Sequence, residues 1–132
     1  MISLEFDASL NYDETAAGIL VPIRLNHGDR SVELRARLDT GAADCLFDHS
    51  YAEILGLPGG GTERIYRTVT GSFQAFGHEI TLETLGLRWS ATVFFHKIGN
   101  PAHAFDGRRG WLDRVRLGLV HAEKRMLISQ NR

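Results

Sequence analysis

Apolar residues recur at every second position over much of the chain, the period of a strand with one buried face. Ile19, Val21, Ile23 and Leu25 alternate with Leu20, Pro22 and Arg24, and Asn26-His27-Gly28-Asp29 then supplies turn chemistry. Val32, Leu34, Ala36 and Leu38 alternate with Glu33, Arg35 and Arg37, so a second strand returns from that turn and runs straight into Asp39. Tyr51, Ile54, Leu55 and Leu57 suggest one or two helical turns over 50–57, ended by Pro58 and Gly59-Gly60-Gly61. Residues 65–70 read as a strand followed by a bend at Gly71-Ser72. Ile80 and Leu82 mark a further strand, Leu85-Gly86-Leu87 a turn, and Trp89, Ala91, Val93 and Phe95 the inner face of the next strand.

The rest of the pattern is shorter. Residues 99–106, with Asn100-Pro101, read as a loop, and 111–115 as a short helix opened by Gly110. Leu117-Gly118-Leu119-Val120 and Met126-Leu127-Ile128 read as strands joined by a polar link. No linker, repeat or low-complexity stretch interrupts the 132 residues, which predicts one all-β domain over 1–132 with one or two short helices.

Composition narrows the function classes. Fifteen Lys and Arg against 16 Asp and Glu give a formal charge of −1, without the basic surplus that nucleic-acid or anionic-membrane binding requires. Cys45 is the single cysteine, so neither an intrachain disulfide nor a thiolate metal cluster is expected, and its neighbours Leu46 and Phe47 mark it as a core residue. No run approaches the roughly 20 apolar residues of a membrane span. The opening Met1-Ile2-Ser3-Leu4-Glu5-Phe6-Asp7 lacks the basic-then-apolar order of a signal peptide, and a cytoplasmic protein is expected.

The sharpest chemical feature is Leu38-Asp39-Thr40-Gly41-Ala42, a carboxylate at a strand end followed by a small hydroxyl and a glycine. Such a sequence can hold a carboxylate in a tight loop, within reach of backbone N–H groups and open to close approach by another chain. The second feature is the stretch from Gly107-Arg108-Arg109-Gly110 through Trp111-Leu112-Asp113-Arg114 to Leu117-Gly118-Leu119. With these two motifs in this order, the sequence resembles the retropepsin-like aspartic proteases, in particular their small bacterial members. The resemblance runs from about Ile19 to Ile128.

The resemblance implies an all-β acid-protease fold: a single-lobe closed barrel with a flap hairpin and one short C-terminal helix. It implies an aspartic endopeptidase without a cofactor, acting on peptide or protein substrates. Asp39, Thr40 and Gly41 match the catalytic loop, and Ala42, Asp44, Gly107 and Arg108 fall at positions that line or brace it. Thr70, Gly71, Ser72, Phe73 and Phe76 fall in the flap, with Phe73 and Phe76 expected either as apolar contacts at its tip or as core. Ile2, Leu4 and Phe6 at one end, and Met126 and Ile128 at the other, match terminal strands that build a dimer sheet. The sequence departs from the family pattern twice. Asp106 stands where an aliphatic residue is usual, which suggests a distorted or wet strand end. Ala43 replaces an aspartate that pairs with the arginine matching Arg108, a role Asp44 is placed to share.

Hydrolysis by this route needs two carboxylates around one water, one acting as base while the other, protonated, polarises the carbonyl. One chain carries one Asp-Thr-Gly, so the resemblance implies a homodimer with Asp39 of each subunit on the axis. There Thr40 would buttress the loop across the axis, and Gly41 would let substrate backbone lie close. Two other readings stay open on sequence. One is a dimeric peptide-binding adaptor that keeps the fold without proteolysis, favoured by Asp106 and Ala43. The other is a metal-dependent hydrolase using some of His27, His49, His78, His96, His103 and His121, although their spacing matches no standard metal motif. Arg108, Arg109, Arg114 and Arg116, interspersed with Asp106 and Asp113, read as a solvated, ion-paired face. Ser72 and Cys45 lack a neighbouring His and Asp that would mark a nucleophile.

Overall fold

A computed structural model describes residues 1–15, 18–97 and 104–131. The chain forms β1 (Ala8–Asn11), β2 (Glu14–Thr15), β3 (Gly18–His27), β4 (Arg30–Leu38) and β5 (Leu46–Phe47), then helix α1 (His49–Ile54). It continues with β6 (Thr62–Thr68), β7 (Gly71–Thr84), β8 (Leu87–His96), β9 (Phe105–Asp106), β10 (Val115–Val120) and β11 (Arg125–Gln130). Among the described residues no helix is long and apolar enough to cross a membrane.

Alternation sets the main sheet. Its strand order is β2-β3-β4-β9-β5-β8-β7-β6, and β3 also pairs with β7 through Arg24↔Glu83, Leu25↔Leu82 and Asn26↔Thr81. The path from β3 through β4, β9, β5 and β8 to β7 therefore returns to its start, which closes the sheet into a barrel and removes those edges. Val21, Ile23 and Leu25 of β3 bury one face against Ile80 and Leu82 of β7 and Trp89, Ala91 and Val93 of β8. Each fully buried aliphatic or aromatic side chain contributes about 1.5–3 kcal/mol of transfer free energy. The turn between β7 and β8 has Leu85 and Gly86 both at positive φ, +48° and +83°, as a two-residue turn matched to strand twist requires.

The predicted strands are present, with differences at their margins. The bend expected at Gly71-Ser72 lies at Val69-Thr70, and β7 then runs unbroken for 14 residues. Residues 105–106, read as loop, form β9, because their backbone is drawn into parallel pairing with β4. Residues 99–103 of that expected loop, with Asn100-Pro101 and His103, lie outside the described residues. The helix expected over 111–115 is a single 3-10 turn, Leu112–Arg114, and the α-helix lies at His49–Ile54, capped by the Asp48 carboxylate on the Ser50 N–H.

A second sheet has the order β1-β11-β10. Because β11 is its central strand, Met126 and Ile128 point into the core and are fully buried. The N-terminal strand begins at Ala8, after an exposed segment carrying Ile2 and Leu4, and the Phe6 ring lies over Gly118. Within the single chain, Met126 and Ile128 of this terminal strand are core residues. The exposed apolar positions of this sheet are Leu119 and Val120 on β10.

Candidate active site

The alternation of β4 delivers Arg37 and Asp39 to one face and ends where the backbone turns. Parallel pairing with β9 fixes that end: Arg37 N–H donates to the Ala104 carbonyl at 2.8 Å and Asp39 N–H to the Asp106 carbonyl at 3.1 Å. The loop then closes tightly, with Ala42 N–H on the Asp39 carbonyl at 3.2 Å. Within it, Gly41 N–H donates to Asp39 Oδ1 at 2.9 Å and Arg37 Nη2 to Oδ2 at 3.2 Å. The Asp39 side chain is 28% exposed. Thr40 and Gly41 stand exposed beside it and Ala42 is half-buried.

A second segment laces this loop from outside. Arg108 N–H donates to the Ala42 carbonyl and Arg109 N–H to the Ala43 carbonyl, both at 2.9 Å. This close crossing is why residue 107 is glycine: a Cβ there would collide with the Asp44 carbonyl oxygen. The segment is anchored in turn by Trp89 Nε1–H on the Gly110 carbonyl at 2.8 Å and by the fully buried Trp111.

Asp44 is the hub of the site at 4% exposure. Its Oδ2 accepts from Arg64 Nη1 and from the Tyr66 hydroxyl, each at 2.6 Å, and its Oδ1 accepts from Arg109 Nε at 3.0 Å. Burial pushes the Asp44 carboxyl up, but the hydrogen bonds from Tyr66, Arg109 and Arg64 outweigh it and hold the group below the usual carboxylate range. Burial, together with the hydrogen bond and negative charge of the Asp44 carboxylate, pushes the Tyr66 phenol well up. The ion pair that the resemblance placed on Arg108 is therefore made by Arg109, one residue on. The Arg108 side chain is exposed, and that residue braces the loop through its backbone.

The hairpin of β6 and β7 meets this region through Arg64 and Tyr66 on Asp44. Its tip is Val69-Thr70, followed by Gly71 and Ser72, and Val69 is fully exposed. Neither Phe73 nor Phe76 is at the tip. Phe73 stacks on Tyr66 with centroids 5.2 Å apart and lies 4.5 Å from the His96 ring, within a small cluster around Leu46, Ala75 and Phe94. Phe76 points to the other face, beneath Lys97 at 5.6 Å. Phe73 thus packs against a core cluster, whereas Phe76 is half-buried on the opposite face.

Asp106 also departs from its expectation. The strand end is paired and enclosed: Asp106 is fully buried, and among the described residues neither carboxylate oxygen has a hydrogen-bond partner. Burial pushes its carboxyl far up, favouring the neutral acid. Cys45 is buried nearby, its thiol pushed up by burial and then by Asp106. Among the described residues no three His, Cys, Asp or Glu side chains gather as a metal site.

Sequence reasoning missed Arg37, Arg64, Tyr66 and Arg109. The signal was period two: Arg37 shares a strand face with Asp39, and Arg64 shares one with Tyr66. No family model and no curated protein matches the sequence. The fold does match a solved one, the crystal structure of a retropepsin-like aspartic protease from Rickettsia conorii. The two agree with a TM-score of 0.69 at 18% identity, over 93% of this chain and 99% of that one. The barrel, the loop at Asp39 and the hairpin tied to Asp44 are thus parts of a chain with the retropepsin-like aspartic protease fold.

Proposed function

We propose that this chain, as one domain, is half of an aspartic endopeptidase, completed by a second copy of itself. The observation that carries the reading is Asp39: a carboxylate at a strand end, partly open, steadied on one oxygen by the Gly41 N–H within an Asp-Thr-Gly loop. Two such loops facing each other across a twofold axis supply the pair of carboxylates that peptide hydrolysis requires. One Asp39 takes a proton from the attacking water while the other, as the acid, donates to the carbonyl oxygen. The tetrahedral diol then collapses with proton transfer to the leaving nitrogen.

In this reading Thr40 meets its counterpart at the axis, and Gly41 and Ala42 run beside the substrate backbone. The hairpin tip, Thr70, Gly71 and Ser72 with Val69, closes over the substrate and excludes water. Asp44, Gly107, Arg108 and Arg109 hold the loop rigid, and Phe73 and Phe76 stiffen the base of the hairpin. Asp39→Asn tests the reading: the dimer should persist in sedimentation while cleavage of a peptide library is lost by at least about a thousandfold. A mutant as active as wild type, or a wild type that is monomeric and active, overturns it. Binding of peptides without cleavage by the wild-type dimer would instead support the adaptor alternative.

A further inference from the structure

Arg37 is the one charged side chain that touches Asp39 among the described residues, and its setting differs from that of the arginines on Asp44. Arg64 and Arg109 converge with Tyr66 on a carboxylate that is almost wholly enclosed. Arg37 instead gives a single hydrogen bond, to Asp39 Oδ2 at 3.2 Å, and its side chain stays 41% exposed. Its guanidinium carbon lies 4.5 Å from the centroid of the Phe105 ring, so a cation–π contact from β9 fixes the plane of the fork. A guanidinium has five donors in a rigid plane and takes a carboxylate in bidentate fashion. This one is pre-oriented, with most of that capacity unused among the described residues.

Position then decides what it can meet. The proposed reaction brings a peptide carbonyl within hydrogen-bond reach of the Asp39 carboxylate, roughly 3 Å. The two residues joined by that bond carry their side chains one or two bonds from the reacting atoms. A guanidinium already touching Asp39 is therefore within reach of a short acidic side chain on either residue. An apolar side chain there would strip water from Arg37 without replacing its hydrogen bonds, and a basic one would meet like charge.

Resting on the endopeptidase reading, we infer that Arg37 is a specificity-determining residue that selects peptides with Asp or Glu next to the scissile bond. A twofold dimer sets one Arg37 on each side of the bond, so the preference extends to both flanking positions.

The test uses pairs of peptides that differ only by Glu or Gln at a residue flanking the cleaved bond, assayed with wild-type protein, Arg37→Lys and Arg37→Gln. Wild type should favour Glu about tenfold in kcat/KM, with the ratio falling as salt rises. Arg37→Lys, which keeps the charge but loses the fork, should retain part of the ratio, and Arg37→Gln should bring it to about one. Equal cleavage of both peptides by wild type overturns the inference while leaving the endopeptidase reading intact. So does an acidic preference that survives in Arg37→Gln. Failure of wild type to cleave either peptide, or any member of a wider library, overturns the endopeptidase reading and the inference with it.

Discussion

Asp44 and Tyr66 are 22 residues apart in sequence, yet the Tyr66 hydroxyl donates to Asp44 Oδ2 at 2.6 Å. With Arg64 on the same oxygen, this bond ties the outer strand of the hairpin to the loop that carries Asp39. The loop and the hairpin are the two parts that close on a substrate in the proposed reaction. Asp44 therefore sets how far one can move without the other.

Asp44→Asn should loosen that tie. The variant keeps an acceptor but loses the charge that two arginines hold, and it adds N–H donors facing donors. Because Arg64 and Arg109 are partly exposed and can rehydrate, the expected cost is about 2 kcal/mol, below that of a fully buried pair. Denaturant unfolding should show that loss, and hydrogen exchange should quicken at amides 62–76 before the barrel strands. Unchanged protection across the hairpin would count against the tie.

The acid limb of stability should follow from the same group. The Asp44 carboxyl lies below its ordinary range in the folded chain. Its stabilisation is therefore present above about pH 4 and is lost as pH falls through the folded value. Wild type should lose stability on acidification more steeply than Asp44→Asn, and thermal unfolding from pH 6 down to pH 2 measures the difference. Parallel curves would show that Asp44 is not the group responsible.

The sequence carried the strands and the Asp39 loop because both are local signals: a period of two, and a short motif at a strand end. It did not carry β9, since two residues hold no period and Phe105-Asp106 become a strand only by lying beside Leu38. Nor did it reveal which arginine would reach Asp44. Backbone pairing of Asp44 with Arg109, set by the close passage at Gly107, decides that.

Gly107→Ala should be among the most damaging single substitutions. The added Cβ meets backbone at Asp44, with no flexible side chain there to move aside. The loop around Asp39 must then separate from the 107–110 segment, breaking the hydrogen bonds from Arg108 and Arg109. A loss of about 3 kcal/mol or more is expected, read as a fall in denaturation midpoint. A variant within about 0.5 kcal/mol of wild type would show that the crossing is looser than the structure has it.

Asp106→Val should instead stabilise the chain, and by an amount that depends on pH. Among the described residues the buried Asp106 carboxyl has no partner on either oxygen, so even its neutral form carries a desolvation cost of about 1–3 kcal/mol. Its folded pKa is raised, so its contribution is most favourable below about pH 4 and is lost as pH rises towards the folded value. Valine, close in volume and without polar atoms, removes both costs. The variant should exceed wild type modestly at pH 3.5 and by about 2 kcal/mol or more at pH 7. The gap should widen steadily between, in the direction opposite to the effect of Asp44. Chemical denaturation of both proteins across that range measures it. A gap that stays constant with pH would mean that Asp106 titrates alike in the folded and unfolded chain, so that burial does not raise its pKa, and a destabilised variant would mean that its carboxyl has a partner worth more than its burial costs.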